Sequence, residues 1–188
     1  MFGPASPAPN PGNSFREHTN MSTAVDTFWQ AARAAVPSLP ATGYKTRTFG
    51  RSAEMADILL ALIASGEKTG TFALAAEYQR DSSAQPFQGD HFVVTWFDGR
   101  PALVYRVTEV ATVPFSGIGP EHVAVEGPNA RQVDIWRKIH WPYWSGMLHE
   151  WGLEPSEDMP VIFQRFELLY PMPRPEPAVA VLPHGPLN

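Results

Sequence analysis

The chain has 188 residues, with 14 basic and 19 acidic side chains and a formal charge of −5. That length fits one domain with decorated ends and a self-sufficient core, and the acidic balance argues against tight nonspecific binding to a long nucleic acid. Cysteine is absent, which excludes disulfides, thiol catalysis and cysteine-ligated zinc.

No apolar run reaches transmembrane length, and residues 1–20 lack the basic start and apolar stretch of a secretory signal. A cytoplasmic protein with no membrane partner is therefore expected. Residues 1–20, with Pro4, Pro7, Pro9 and Pro11, read as a flexible tail. Ser22 or Thr23 is placed to cap a helix whose apolar positions are Val25, Phe28, Trp29, Ala32 and Val36. Pro37 and Pro40 end it.

Residues 44–50 read Y-K-T-R-T-F-G, a short extended segment that would present Lys45 and Arg47 on one side at period two. Ser52 is a good N-cap for the next helix, with Glu54 and Asp57 near its positive end. The pattern buries Met55, Ile58, Leu59, Leu62 and Ile63, and Gly66 terminates the helix. A turn carrying Lys68, Thr69 and Thr71 follows, and then a run through Phe72, Leu74 and Ala76 that reads equally as strand or helix.

Residues 91–97 (H-F-V-V-T-W-F) predict a strand, Asp98-Gly99 a hairpin turn, and residues 101–113 the return strand. Residues 121–127 predict a short helical turn ending at Gly127-Pro128. Asn129 is a candidate cap for a helix carrying Val133, Ile135, Trp136 and Ile139, with a kink or break at Trp141-Pro142 and closure at Gly152. Residues 160–170 (P-V-I-F-Q-R-F-E-L-L-Y) predict a final strand, and the proline-rich residues 171–188 a second tail. The fold class is α+β: a folded domain over residues 21–171, built on a twisted or barrel-like sheet with helices at its ends.

Several motifs in this order resemble the ASCH-domain family, the small barrels related to RNA-binding PUA domains. They are Phe49-Gly50, Leu59 onward to Gly66-Glu67-Lys68-Thr69-Gly70-Thr71, and Pro86-Phe87-Gln88-Gly89-Asp90. Glu126-Gly127, Trp136-Arg137-Lys138-Ile139-His140, and Asp158-Met159-Pro160-Val161 with Arg165-Phe166 follow. The resemblance implies a PUA-like mixed β-barrel with flanking helices, and RNA or a modified nucleoside as partner. Some relatives look like metal-assisted ribonucleases of single-stranded RNA; some small ones are amidohydrolases of acylated cytidine that use a lysine, a threonine and a glutamate. Lys68 and Thr71 match the lysine and threonine, and Glu126 is the best match for the glutamate. Ala73 stands where those amidohydrolases carry an arginine.

The leading expectation is thus an RNA-processing hydrolase, a ribonuclease of single-stranded RNA. The alternatives are an amidohydrolase of N4-acylated cytidine-type nucleosides and a noncatalytic RNA- or nucleotide-binding module. Lys68, Thr71 and Glu126 form the candidate reactive group. Thr71 is a nucleophile only with a base in reach, and Lys68 in a closed cleft would hold phosphate or an oxyanion. Lys45, Arg47, Thr69, Arg137 and His140 are candidate substrate-binding residues, with Trp141, Tyr143 or Trp144 as stacking platforms. A divalent ion is the cofactor to look for, and no organic cofactor is expected. Glu54, Asp57, Asp90, Glu121 and Glu126 are oxygen ligands in principle, but their spacing assigns no metal residue.

Overall fold

The structure, a computed structural model, describes the backbone of residues 11–170 and the side chains of residues 23–170. The elements run α1 (Pro11–Ala35), β1 (Tyr44–Thr48), α2 (Ala53–Ala64), β2 (Gly70–Leu74), α3 (Ala75–Arg80), β3 (His91–Thr95) and β4 (Pro101–Pro114). They continue as α4 (Pro120–Val123), α5 (Val133–Glu150) and β5 (Pro160–Tyr170), with 3-10 turns at Phe115–Gly117 and Pro128–Ala130. Among the described residues, no helix is long and apolar enough to cross a membrane.

The five strands form one sheet in the order β1-β3-β4-β5-β2. Only β1 and β3 are parallel; the other three pairings are antiparallel. The sheet curls into a half-barrel but β1 and β2 do not pair, so the barrel expected from the sequence is open. The long β4 bends through register shifts between Val104 and Tyr105 and between Val107 and Glu109. Bulges of this kind increase local twist and let one strand serve two parts of a curled sheet.

Period-two alternation sorts the core. Val93 and Val104 face α1, where Val25, Trp29 and Ala32 form the expected apolar stripe. Phe92, Val94, Leu103 and Tyr105 leave the opposite face and pack with Leu60 and Ile63 of α2 and with Phe166. A third cluster joins Phe72 and Phe163 to Trp136, Trp144 and Leu148 of α5. Burying each large apolar side chain contributes roughly 1.5–3 kcal/mol, so these faces fix where the helices sit.

Several expectations are corrected. Helix α1 starts at Pro11, well before Ser22, because proline suits a first helical turn and no further proline intervenes until Pro37. Residues 1–10 and 171–188 lie outside the described residues. In α2 the Ser52 cap is present, its Oγ accepting from Met55 N–H at 3.2 Å, but the inward face is Ala56, Leu60 and Ile63. Met55 and Ile58 are about half exposed instead of buried. The ambiguous run is both elements in succession: β2 ends at Leu74 and α3 begins at Ala75, with Glu77 accepting from Leu74 N–H at 2.9 Å. Asn129 lies in a 3-10 turn, and Gln132 takes the cap position of α5. Helix α5 continues through Pro142 without a break. The carbonyl this proline leaves without an N–H belongs to Lys138, an exposed residue.

Candidate functional site

Helix α2 ends at Ser65, and Gly66 takes φ +77°, a conformation that costs glycine nothing. The reversal turns Lys68 inward, its N–H donating to Leu62 O at 2.9 Å. Thr69 clamps the turn at both backbone groups: its N–H donates to Val125 O at 2.9 Å and its O accepts from Phe166 N–H at 2.8 Å. These bonds draw the 66–71 turn against the 125–127 loop, 58 positions away for the pair Lys68 and Glu126. Lys68 Nζ donates to Glu126 Oε2 in a buried ion pair, with only 3% and 8% of the two side chains exposed.

The contact is possible because small residues let the segments meet. A Cβ on Gly70 would lie 2.5 Å from Gln164 O and 2.5 Å from Val125 Cγ2, and one on Gly127 would lie 2.6 Å from Leu62 Cδ1. Arg131, which the sequence reading missed, ties the rim: Nε donates to Glu126 O at 2.8 Å and an Nη to Glu67 O at 2.6 Å.

Thr71 is buried on β2 directly opposite Gln164 of β5, and among the described residues no protein group hydrogen-bonds its hydroxyl. Gln164 is fully buried with neither amide atom hydrogen-bonded to protein. It too was missed, although Ile162, Gln164 and Phe166 alternate onto one face and a polar group there is anomalous.

His140 stacks on Trp136 at 4.3 Å between centroids and lies 6.0 Å from Phe72. Its ring Nδ1 is 2.9 Å from Trp136 O. Burial lowers its pKa, against the opposing pull of that carbonyl and of the Glu126 charge, so the imidazole is neutral at neutral pH. Helix α5 thereby sets a neutral ring within electrostatic reach of the Lys68–Glu126 pair.

The cations expected to line the substrate differ in what they touch. Lys45 is held by Asp90 and by Gln85 O, both at 2.6 Å. Arg137 is bidentate to Glu157 at 2.6 and 2.7 Å and lies over Phe115. Lys68 is paired with Glu126. Arg47 pairs with no carboxylate; it donates to Tyr78 Oη at 2.6 Å, Tyr105 Oη at 3.3 Å and Ala84 O at 3.4 Å. Of the expected stacking aromatics, Trp144 is core, Trp141 packs on Phe115, and Tyr143 is exposed beneath the Arg51 guanidinium. Among the described residues, no three His, Asp or Glu side chains converge as a metal centre.

Residues 45–170 match the family model described as ASCH domain. A crystal structure of an ASCH domain from Lactobacillus crispatus JV V101 superposes with TM-score 0.67 at 24% identity, covering 80% of this chain and 94% of that one. A crystal structure of a protein from Enterococcus faecalis V583 superposes with TM-score 0.68 at 25% identity, covering 79% and 94%. No curated protein matches the chain.

Proposed function

We propose, from the premise that this chain belongs to the ASCH domain family, that it is an RNA- or nucleotide-binding module whose ligand is read beside Lys68 and Glu126. The carrying observation is the buried ion pair, whose lysine stands three positions before buried Thr71 in the chain. Lys68 spends one N–H on Glu126 Oε2 and keeps the others; Glu126 Oε1 has no protein donor among the described residues. A neutral pair therefore offers donor and acceptor side by side. That suits the mixed donor–acceptor edge of a nucleobase better than a phosphate, which would meet the Glu126 charge.

Two catalytic forms of this reading go further. Cleavage of single-stranded RNA would use the ligand's own 2′-hydroxyl or a positioned water at the same place. Amide hydrolysis of an acylated cytidine-type nucleoside has one observation in its favour: Lys68 and Glu126 pair, as the combination with Thr71 that the resemblance implies would have them. There Thr71 would attack the amide carbonyl and give its proton to the Glu126 carboxylate, and the Lys68 ammonium would stabilise the oxyanion. The cytosine amine would leave with that proton, and water would then hydrolyse the Thr71 ester to free the acid.

The deciding experiment combines binding and turnover for wild type, Thr71→Val and the double variant Lys68→Met/Glu126→Leu. Ligands are single-stranded RNA, nucleosides, nucleotides and N4-acetylcytidine. Binding without product, lost in the double variant, is the result expected. RNA fragments, or free acetate abolished by Thr71→Val, would replace the module by the corresponding hydrolase. No binding to any ligand by a folded wild type would reject the reading.

A further inference from the structure

The group around Arg47 contains more hydrogen-bond donors than acceptors. A guanidinium carries five N–H donors and no acceptor. Here its Nη groups reach two phenol oxygens and one carbonyl, Ala84 O, and no protein acceptor engages Nε–H. Tyr78 and Tyr105 do not balance the count. Each oxygen accepts from Arg47, so each hydroxyl hydrogen points elsewhere, and among the described residues neither has a protein acceptor. Burial raises the pKa of both phenols, that of Tyr105 to about 12, so both keep their hydrogens and cancel none of the arginine charge.

Among the described residues no carboxylate forms an ion pair with Arg47. Glu77 feels its charge only at longer range, and its Oε1 accepts from Leu74 N–H. Asp90 is engaged by Lys45 and by Phe87 N–H. The guanidinium lies 4.9 Å over the Phe92 ring, in low-dielectric surroundings where an unpaired charge is costly. The other expected substrate cations, Lys45, Lys68 and Arg137, are each neutralised by an acid.

We infer that Arg47, with the hydroxyl of half-buried Tyr78, is a receptor for one anionic group, the phosphomonoester of a nucleotide ligand; fully buried Tyr105 backs the guanidinium from the core. The inference rests on the nucleotide-binding reading and assigns the ligand's parts: the Lys68–Glu126 pair takes a neutral base and Arg47 takes its phosphate. The phosphate comes either from a free mononucleotide or from the terminus of an RNA. Planar N–H pairs suit phosphate oxygens, and the Tyr78 O–H completes the set without adding an opposing charge.

The test measures affinities of full-length wild type, Arg47→Met and Tyr78→Phe by calorimetry. Probes are inorganic phosphate, nucleosides, the matching monophosphates, and one short RNA with and without a terminal phosphate. Wild type should prefer monophosphate over nucleoside by about tenfold or more, the scale of a charge-assisted hydrogen bond. That preference should vanish in Arg47→Met and shrink in Tyr78→Phe. Tyr78→Phe removes one donor without removing charge or volume, so it answers even if Arg47→Met fails to fold. Monophosphate preference alone identifies a mononucleotide; a matching preference for end-phosphorylated RNA identifies the terminus. Equal binding of nucleoside and monophosphate, or a preference unchanged in both variants, overturns the inference while leaving base binding intact. Phosphate bound by wild type and lost in the variants, with no nucleoside or RNA bound, would keep the anion receptor and reject the nucleotide reading. No phosphate-dependent binding by any probe overturns the receptor.

Discussion

Breaking the Lys68–Glu126 pair from one side should be far more damaging than removing both partners. Only 3% and 8% of the two side chains reach solvent, so a lone survivor is an uncompensated buried charge. Removing one member of such a pair costs about 3–5 kcal/mol, whereas replacing both by packed apolar groups is often neutral or stabilising. For a chain of this size each kcal/mol moves the melting midpoint by roughly 2–4 °C. Lys68→Met and Glu126→Leu should each lower it by about 6–20 °C. The double variant should return close to wild type, giving a coupling energy of several kcal/mol in a double-mutant cycle. Denaturant and thermal unfolding at pH 7 measure all four proteins. Ligand binding should stay lost in the double variant, which separates the pair's role in recognition from its part in stability. Single costs below about 1 kcal/mol that simply add would place the pair in a solvated setting. The argument for a closed recognition site would then fall.

Gly70→Ala should destabilise by roughly 1–3 kcal/mol, because its Cβ would meet the Gln164 carbonyl oxygen at 2.5 Å, a backbone atom that cannot swing aside; chemical unfolding checks it. Burial lowers the pKa of both His140 and His91, with Arg106 adding to the effect at His91. The stability they contribute when neutral is complete above their unfolded value of about 6.5 and is lost as pH falls through the folded values. The melting midpoint should therefore drop on acidification from neutral pH, and His140→Gln should flatten that limb. Gln164→Leu should be neutral or stabilising, since it deletes a buried amide with no protein partner at either atom. A loss above about 1 kcal/mol would show that the amide is hydrogen-bonded by buried water.

Local signals were legible where one interaction decides the outcome. The Ser52 cap, the Gly66 and Gly152 terminators and the Asp98-Gly99 hairpin each depend on near neighbours, and each is present. The α1 stripe was legible because a single sheet face covers it. The inward face of α2 was not. Met55, Ile58 and Leu59 are as apolar as Leu60, and the partner sheet, not the helix, selects Ala56, Leu60 and Ile63. Openness of the barrel was equally hidden, since whether β1 reaches β2 depends on accumulated twist and the β4 bulges. Within the site, the likeness to a known motif placed Glu126 beside Lys68, whereas sequence spacing alone did not. Which cations would find acids was unreadable, because Lys45 and Arg137 meet their carboxylates across 45 and 20 positions.

The polar groups of the candidate site are linked to one another. Thr71 and Gln164 are register partners on β2 and β5; Phe166, two residues beyond Gln164, stacks on Tyr105 at 4.4 Å; and Tyr105 hydrogen-bonds Arg47. Lys68 sits in the turn just before β2, which carries Thr71. An unpartnered amide, an unpaired guanidinium and a buried ion pair would each be replaceable by apolar residues at no loss, or a gain, of stability. The α1 face is more apolar: there Val25, Trp29 and Ala32 pack on Val93 and Val104, and the buried polar atoms without a partner are single N–H groups, Trp29 Nε1 and Arg33 Nε. A ligand with a mixed donor–acceptor edge and an anionic end would satisfy the polar groups that the chain itself leaves open. For Gln164→Leu, Arg47→Met and the Lys68→Met/Glu126→Leu double variant, stability should therefore hold or rise while binding falls; the single variants of the pair lose both, because each strands a buried charge. On the α1 side, Trp29→Ala should lower stability and leave the affinity of the folded fraction unchanged. Parallel losses of both properties in those three polar-side variants would mean that these groups serve the fold and not a ligand.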